Sequence, residues 1–572
     1  MNKKRILLAC TLFLLFLPSL TAINQNFALG HNEENEYGNL SDMPLETVIS
    51  RRISIHYGPY YDLNATVPWE LVSKVLWAAY GYTWRGRTAP SLSGYPLIIY
   101  ICNETAAYKY DPKNQSLSLW KSGDYRRAAG GYYSPIMLYI ALDTNLCDDV
   151  NLGNAEAGCT IQSIYLMANA LNLGTVCEGG EGLNRTRIQQ KLGLPENEKV
   201  LYQMPLGYPL PPYTDYQNLV PTSRPSSSEL PEIQDSYLSI EDALDSVFSS
   251  HEWSENPITK QELSQVLWAS YGYSYYEDTA TSPPKRHRTV PSAHSYYPMR
   301  IYAADSSGVY EYLPKQHTLT TLIAEDRRQS IAQASGNTWA SSAPLIIATA
   351  WDEDRISQPP SDLEYLKWVN LTIVEVGLIT QNVYLESAAW GLIADWGKAD
   401  TDEEAMRNAL GLIGQTHLHP ASIITVGHPS TYLHKAMWNE TIYHIETKTN
   451  STVLNFTFDQ PNRKITFNFS APSGTTGFCN VTIPNTLLWG DFTVLINGTP
   501  PAGLTRKDNA THTSLHFTYK LLSSLNVQII GEHVIPEFQT WTSIILIFLA
   551  LTVTIIICKR RLLNVKCIFT RD

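Results

Sequence analysis

Two stretches of the chain, Glu156–Leu173 and Val374–Leu392, are apolar around nearly the whole helical circumference. A helix with no solvated face has to be buried, so the pattern predicts two internal helices packed against each other. Glu70–Tyr80 differs, because Leu71, Val75, Leu76 and Ala79 recur at helical spacing on one side and predict an amphipathic helix lying on a core. Pro96–Cys102 and Pro298–Ala303 are short β-rich runs, and Tyr108–Pro112 and Tyr310–Pro314 read as hairpin edges. Helices and strands are therefore mixed up to about Pro429, an α+β pattern. From Thr431 to Gly531 the character changes: runs such as Thr452–Phe458 and Lys464–Phe469 alternate and are separated by Asn, Gly and Pro turns. Those are short antiparallel strands of an expected β-sandwich. Last, Trp541–Cys558 is an uncharged run, which with its flanks is long enough to span ~30 Å of hydrocarbon.

The mixed part of the pattern occurs twice. Leu76-Trp-Ala-Ala-Tyr-Gly-Tyr82, Arg87-Thr-Ala-Pro-Ser91 and Tyr95-Pro96 return in order as Leu267-Trp-Ala-Ser-Tyr-Gly-Tyr273, Arg288-Thr-Val-Pro-Ser292 and Tyr297-Pro298. Glu156-Ala-Gly158, Gln162, Tyr165-Leu166 and Gly174 then answer to Glu375-Val-Gly377, Gln381, Tyr384-Leu385 and Gly391. Leu192-Gly-Leu194 and Leu206-Gly-Tyr-Pro209 close the first unit as Leu410-Gly-Leu412 and Val426-Gly-His-Pro429 close the second. Each unit exceeds 100 residues, far beyond the ~20–50 of solenoid repeats, so a whole domain is duplicated. The expected organisation is a leader at 1–22, a first domain at 45–210, a Pro/Ser-rich linker at 211–237, a second domain at 238–430, a β-rich domain at 431–533, a membrane helix at 539–558 and a tail at 559–572.

Composition narrows the function classes. The chain has 572 residues, 44% of them apolar and 17% charged, with a net charge of −12. An acidic chain of this kind argues against a nucleic-acid partner. Met1–Arg5 is basic, Ile6–Leu17 is apolar and Ser19–Ala22 offers small residues, the pattern of a secretory signal. Lys559, Arg560, Arg561 and Lys566 follow the predicted span directly, which places the tail in the cytoplasm and the bulk of the chain outside. Glycosylation triplets crowd at Asn450, Asn455, Asn468, Asn480, Asn497 and Asn509, as expected of an extracytoplasmic surface. Cys102, Cys147, Cys159, Cys177 and Cys479 lie between leader and span; an odd number leaves at least one without an intramolecular partner. His417 and His419, two residues apart on one strand face with His428 further on, have no third ligand at useful spacing, so no metal site is expected.

At the repeated residues the chain resembles the flavin-dependent nitroreductase superfamily, in particular its azoline-oxidase branch. The closest matches are Arg288–Pro298 and Glu375–Leu385. The resemblance implies an α+β fold, two tandem domains forming an intramolecular pseudo-dimer, and flavin mononucleotide (FMN) bound where the two copies meet. It implies that Arg52 and Ser54, in Arg51-Arg-Ile-Ser-Ile-His56, hold the phosphate side. Arg288, Ser292 and Tyr297 of the other copy would close over it, and the turn at Gly174 would approach the ring. The corresponding segment of the second unit, Val247–Trp253, has no arginine, and the loop Pro90–Pro96 is one residue short, so one FMN per chain is expected. The branch's His after Glu-Ala-Gly is replaced by Cys159 and Leu378, and its Arg-Tyr by Asn151-Leu152 and Asn370-Leu371. Catalytic residues, substrate and electron donor therefore do not carry over. Glu156 and Glu375 are expected as buried acids paired with arginine. Two functions fit: a membrane-anchored extracytoplasmic FMN oxidoreductase, or a non-catalytic surface protein on a degenerate scaffold of the same kind.

Overall fold

The computed structural model describes residues 26–28, 43–56, 60–130, 133–180, 183–236, 238–254, 256–356, 365–399, 402–438, 441–470, 476–520 and 524–535. The expected leader, membrane helix and tail lie outside them. Among the described residues no helix is long and apolar enough to cross a membrane. The chain divides into two compact units, residues 1–430 and 431–572.

In the first repeat β1 (Asn26–Ala28) and α1 (Leu45–Arg51) precede α2 (Trp69–Tyr80), β2 (Leu97–Cys102), β3 (Ala106–Asp111), β4 (Ser116–Ser122), β5 (Ile136–Asp143), α3 (Val150–Ala170), β6 (Gly174–Thr175), α4 (Arg185–Leu192) and β7 (Glu198–Gly207). After β8 (Leu219–Pro221) the second repeat runs through α5 (Ile240–Ser246), α6 (Lys260–Tyr271), β9 (Tyr273–Asp278), β10 (Lys285–Arg288), β11 (Met299–Asp305), β12 (Gly308–Leu313), β13 (Thr318–Ile323), α7 (Arg328–Ala334), β14 (Leu345–Asp352), α8 (Tyr365–Ala389), β15 (Ile393–Lys398), α9 (Glu403–Ala409) and β16 (Leu418–Gly427). The first sheet has the order β1-β4-β3-β2-β5-β7-β6 and the second β13-β12-β11-β14-β16-β15, so the shared part of the order is repeated.

The repeated Leu-Trp-Ala-x-Tyr-Gly-Tyr block has a local cause. In both copies the helix stops at a glycine, and a Cβ on Gly81 or Gly272 would lie 2.6 Å from the carbonyl oxygen of Trp77 or Trp268. The tryptophan indole then donates to the carbonyl of the second tyrosine, Trp77 to Tyr82 and Trp268 to Tyr273, each at 2.9 Å. Glycine ends the helix and tryptophan holds the exit.

The two long helices, α3 and α8, share an interface through their glycines. A Cβ on Gly377 would fall 2.8 Å from Gly158 Cα, and one on Gly158 2.9 Å from Gly377 Cα. Side-chain amides of both helices donate across the seam: Gln162 Nε2 to Asn382 Oδ1 at 2.8 Å and to the Thr289 carbonyl at 3.1 Å, and Gln381 Nε2 to the Thr88 carbonyl at 3.0 Å. One hydrophobic core draws on both repeats. The segment Pro212–Asp235 carries β8, which pairs with β9, and buries Leu230 and Ile233 completely.

The second unit comprises β17 (Thr431–Trp438), β18 (Thr441–Thr449), β19 (Thr452–Asp459), β20 (Lys464–Ser470), β21 (Thr476–Pro484), β22 (Leu488–Ile496), β23 (Ala502–Asp508), β24 (His512–Lys520) and β25 (Ser524–Val534). They form two antiparallel sheets, β17-β18-β21-β24-β23 and β19-β20-β25-β22. Phe467, Phe469, Val481, Phe517 and Val527 fill the space between them, the alternation expected of a sandwich.

Candidate functional site

Arg52 is the C-cap of α1, and from there the chain runs extended beside β6, with Ile55 N bonded to the Thr175 carbonyl at 3.0 Å. This turn sends the Arg52 side chain inward, where it is only 2% exposed. Its Nη2 donates to the Arg288 carbonyl at 3.0 Å and its Nη1 to Ser54 Oγ at 3.5 Å, while Nε is buried without a partner. The guanidinium lies 5.4 Å from the Tyr165 ring. Burial lowers its pKa, and the groups that oppose the shift are the phenols of Tyr297, Tyr165 and Tyr216 rather than a carboxylate. Other basic groups gather nearby. The His56 pKa is lowered by burial first, then by the charges of Arg52, Lys285 and His287. His287 is held by Asp278 at 2.9 Å. A partly dehydrated guanidinium with an unmet donor, in a positive neighbourhood, is suited to an oxyanion with several acceptor oxygens.

Arg288 forms the other wall. Its Nη1 donates to the Tyr271 carbonyl at 3.0 Å, its Nε is buried without a partner, and the rings of Tyr271, Tyr273 and Tyr297 surround it at 4.6, 4.6 and 5.0 Å. Tyr297 has φ of 50°, and neighbouring His294 and Ser295 also lie in the left-handed region at 53° and 60°, a strained stretch for residues with side chains. Ser292 sits one step back, its hydroxyl bonded to Glu375 while accepting from Tyr297 N at 2.9 Å. Ser54 donates to Tyr165 OH at 3.1 Å. The structure thus brings Arg52, Arg288 and Tyr297 together, with Ser54 and Ser292 as supports.

Two expectations are corrected. Gly174 is not the counterpart of Gly391. Gly174 pairs with Gly207 as Ile393 pairs with Gly427, and the residue matching Gly391 (φ 70°) is Asn172 (φ 54°). Gly174 lies under Ile55 and Tyr61, whose side chains a Cβ there would meet at 3.0 and 3.2 Å. The buried acids are also not paired with arginine. Glu375 bonds Ser292 and Tyr271 OH, the latter at 2.8 Å. Glu156 bonds Tyr80 OH and accepts from Leu92 N at 3.1 Å and from Ser93 N and Oγ at 2.8 Å each. A hydroxyl answers the carboxylate in both repeats because the arginine is drawn instead onto the tyrosine faces.

Burial pushes the Glu375 carboxyl up from 4.5 to about 7, against the hydrogen bonds of Ser292 and Tyr271 and the charge of Arg288. A carboxyl whose folded-state pKa is raised adds stability in full below its unfolded value and loses it as pH rises through the folded value. Glu375→Gln is therefore expected to remove a stability loss of about 3 kcal/mol between about pH 4.5 and 7. Urea unfolding of wild type and variant across that window checks it.

The reciprocal half is different. Val247 caps α5 where Arg52 caps α1. His251, in the place of His56, contacts the Asp395 carboxylate through Nε2 and stacks on Trp339 at 3.9 Å. Asp395 also accepts from Tyr384 OH at 3.1 Å. An oxyanion there would meet the Asp395 carboxylate and no arginine at the helix cap, the Arg85 guanidinium lying instead 5.4 Å from the Phe248 ring. Arg87 matches Arg288, ringed by Tyr80, Tyr82 and Tyr95 at 4.6, 4.4 and 4.7 Å, beside a cavity of about 360 Å³ that Lys109 and Tyr110 also line. Elsewhere Asp352, Asp354 and His417 bring ligand atoms within 4.8 Å of one another, but Asp352 already accepts from Arg300 Nε and Nη2 at 2.8 and 2.7 Å.

Tyr165, Tyr216, Lys285 and His287 were not singled out from sequence. Lys285 and His287 carried a signal, the basic run Lys285-Arg-His-Arg288, and Tyr165 stood in the repeated Tyr-Leu block without a role; Tyr216 carried none, because its part depends on packing against Arg52.

Duplicated α+β units meeting across glycine-bearing helices, with Arg52 capping α1 in one half and Val247 capping α5 in the other, define a tandem, duplicated α+β fold. The nitroreductase family profile matches residues 50–208 and 249–428, and the chain belongs to the nitroreductase family. It is 30% identical over 171 residues to the nitroreductase homologue MJ1384 of Methanocaldococcus jannaschii, covering 29% of this chain and 79% of that protein. A nitroreductase homologue from Anabaena variabilis aligns over 66% of this chain and 93% of its own, with 15% identity and a TM-score of 0.49. Another, from Desulfovibrio desulfuricans and solved in complex with FMN, aligns over 33% of this chain and 84% of its own, with 17% identity and a TM-score of 0.24.

Proposed function

We propose that the chain is an FMN-dependent oxidoreductase of nitroreductase type that holds one FMN between its repeats. The observation that carries this reading is the buried Arg52 guanidinium, with Nε unmet and only phenols to offset its charge. Arg52, with His56, Lys285 and His287 around it, suits a phosphate monoester. Ser54 adds a hydroxyl, and Arg288 and Tyr297 close the side belonging to the second repeat. FMN, when bound, supplies reversible hydride or electron transfer. The residues described here bind its phosphate and screen the site from water. The motif order at Arg288–Pro298 and Glu375–Leu385 supports a place in the azoline-oxidase-like branch. The basic and apolar start, the uncharged run at 541–558 and the clustered glycosylation triplets support a secreted, glycosylated protein anchored by one C-terminal span.

Titrating the purified protein with FMN, followed by flavin fluorescence and equilibrium dialysis, tests the reading. One equivalent is expected to bind. Two equivalents of equal affinity would refute the one-site reading, and no binding would leave the non-catalytic scaffold standing.

A further inference from the structure

Away from the arginine site, the seam between the repeats contains two acids that no base neutralises. Glu46, on α1, and Glu386, on α8, are both fully buried at 0% exposure. Trp390 Nε1 donates to Glu46 Oε1 at 3.3 Å and Ser236 Oγ to Glu46 Oε2 at 3.2 Å. Gln265 Nε2, from α6, donates to Glu386 Oε1 at 2.8 Å. Glu386 Oε2 is buried with no donor, and Trp390, whose N bonds the Glu386 carbonyl at 3.2 Å, brings the Glu46 carboxyl beside it through its indole. The nearby charges are Arg224 and Asp235, which bond one another at 2.6 Å. Tyr275 of β9 lies between, bonded to Thr47 of α1 at 3.1 Å and to Asp235 at 3.4 Å, with Arg224 4.5 Å from its ring. The local arginine is therefore already matched. Two adjacent carboxylates in a dry seam cannot both ionise, and a proton on one of them supplies the donor that Glu386 Oε2 lacks.

The opposite seam shows what was exchanged. Aligning α6 on α2 puts Gln265 opposite Lys74, aligning α5 on α1 puts Glu241 opposite Glu46, and aligning α8 on α3 puts Met167 opposite Glu386. There, Lys74 Nζ and Glu241 Oε1 form an ordinary ion pair at 2.7 Å. On the acid side glutamine stands where the other seam has lysine and a second glutamate stands where it has methionine, so an ion pair in one seam answers to a pair that needs a proton in the other.

We propose that Glu46 and Glu386 share one proton and act as an acid-stabilised latch that fastens α1 of the first repeat to α8 of the second. Burial raises both acids above their ordinary value of 4.5. The latch is fully closed below that value and weakens as pH rises through the folded-state pKa. For each proton lost, its closing constant falls about tenfold per pH unit. Because α1 ends at Arg52, the latch also governs how firmly the buried cation is held. That consequence rests on the phosphate reading above; the latch itself does not.

Hydrogen exchange of the full chain between about pH 5 and 8, corrected for intrinsic rates, tests the proposal on α1 and on the last turn of α8. Wild type is expected to show opening that rises with pH by up to about tenfold per unit. In Glu386→Gln the amide donates to the Glu46 carboxylate without a proton, and the slope should be clearly shallower than in wild type. The seam at Lys74 and Glu241 serves as an internal control and should show no such slope. Should Glu386→Gln fail to fold, Glu46→Gln provides the same comparison. Glu375 titrates in wild type and variant alike, so only their difference reports the latch. Equal pH slopes in wild type and variant, or equal slopes at the two seams, would overturn it.

Discussion

Arg52→Ala is expected to abolish FMN binding, lowering affinity by about a thousandfold or more, whereas Arg87→Ala leaves it nearly unchanged. Each charge-assisted bond to phosphate is worth roughly 1.5–3 kcal/mol, and a guanidinium with an unmet Nε and a partly engaged Nη1 can supply two. Two such bonds correspond to about two to four powers of ten in Kd. His56 and Lys285 remain in the variant, but neither presents a planar fork, so Arg52→Lys should recover only part of the loss. Arg87 belongs to the reciprocal half, where Val247 replaces the arginine cap and Asp395 would repel phosphate. Equilibrium dialysis of the three variants, with unfolding curves to show that each is folded, checks the prediction. Equal losses for Arg52→Ala and Arg87→Ala would mean that the two halves bind alike, against the asymmetry seen here.

The elements that repeat were legible because their causes are local. Gly81 and Gly272 stop helices at the same carbonyl, and the indoles of Trp77 and Trp268 fix the exits; the sequence carries all of that within seven residues. The all-round apolar character of α3 and α8 made their burial legible, since no solvated face was available. What depends on register was harder to read. Gly174 was matched to Gly391 because both are glycines after a long helix. The left-handed turn is made by Asn172 in one copy and Gly391 in the other, and asparagine tolerates that conformation. Pairings distant in sequence were not legible either. Glu375 finds Tyr271 and Ser292 rather than an arginine, and the composition of Pro212–Asp235 gives no sign of the three-residue strand β8 that adds to β9. The acid pair at Glu46 and Glu386 is invisible in one dimension, because each residue is an ordinary glutamate until the fold buries it where Gln265 stands in place of a lysine.

Gly377→Val is expected to be strongly destabilising, costing at least about 3 kcal/mol, the upper end of ordinary overpacking. Overpacked cores usually respond by moving side chains. Here a Cβ on Gly377 would enter the backbone of α3, lying 2.9 Å from the Ala155 carbonyl carbon and 2.8 Å from Gly158 Cα. Backbone within a helix can yield only if the whole helix moves. Separating α3 from α8 would also strain the bonds that cross the seam, Gln162 to Asn382 and Gln381 to the Thr88 carbonyl, leaving polar groups buried without partners. Arg52 and Arg288 come from different repeats and meet through a 3.0 Å bond, so the same displacement pulls the candidate site apart. Gly180→Ala is the control: a Cβ there meets nothing within 4 Å, and its effect should stay within about 0.5 kcal/mol. Urea unfolding of the two variants, with hydrogen exchange across α3 and α8 for Gly377→Val, gives the comparison. A Gly377→Val protein as stable as Gly180→Ala would show that the helix crossing is looser than its glycines indicate.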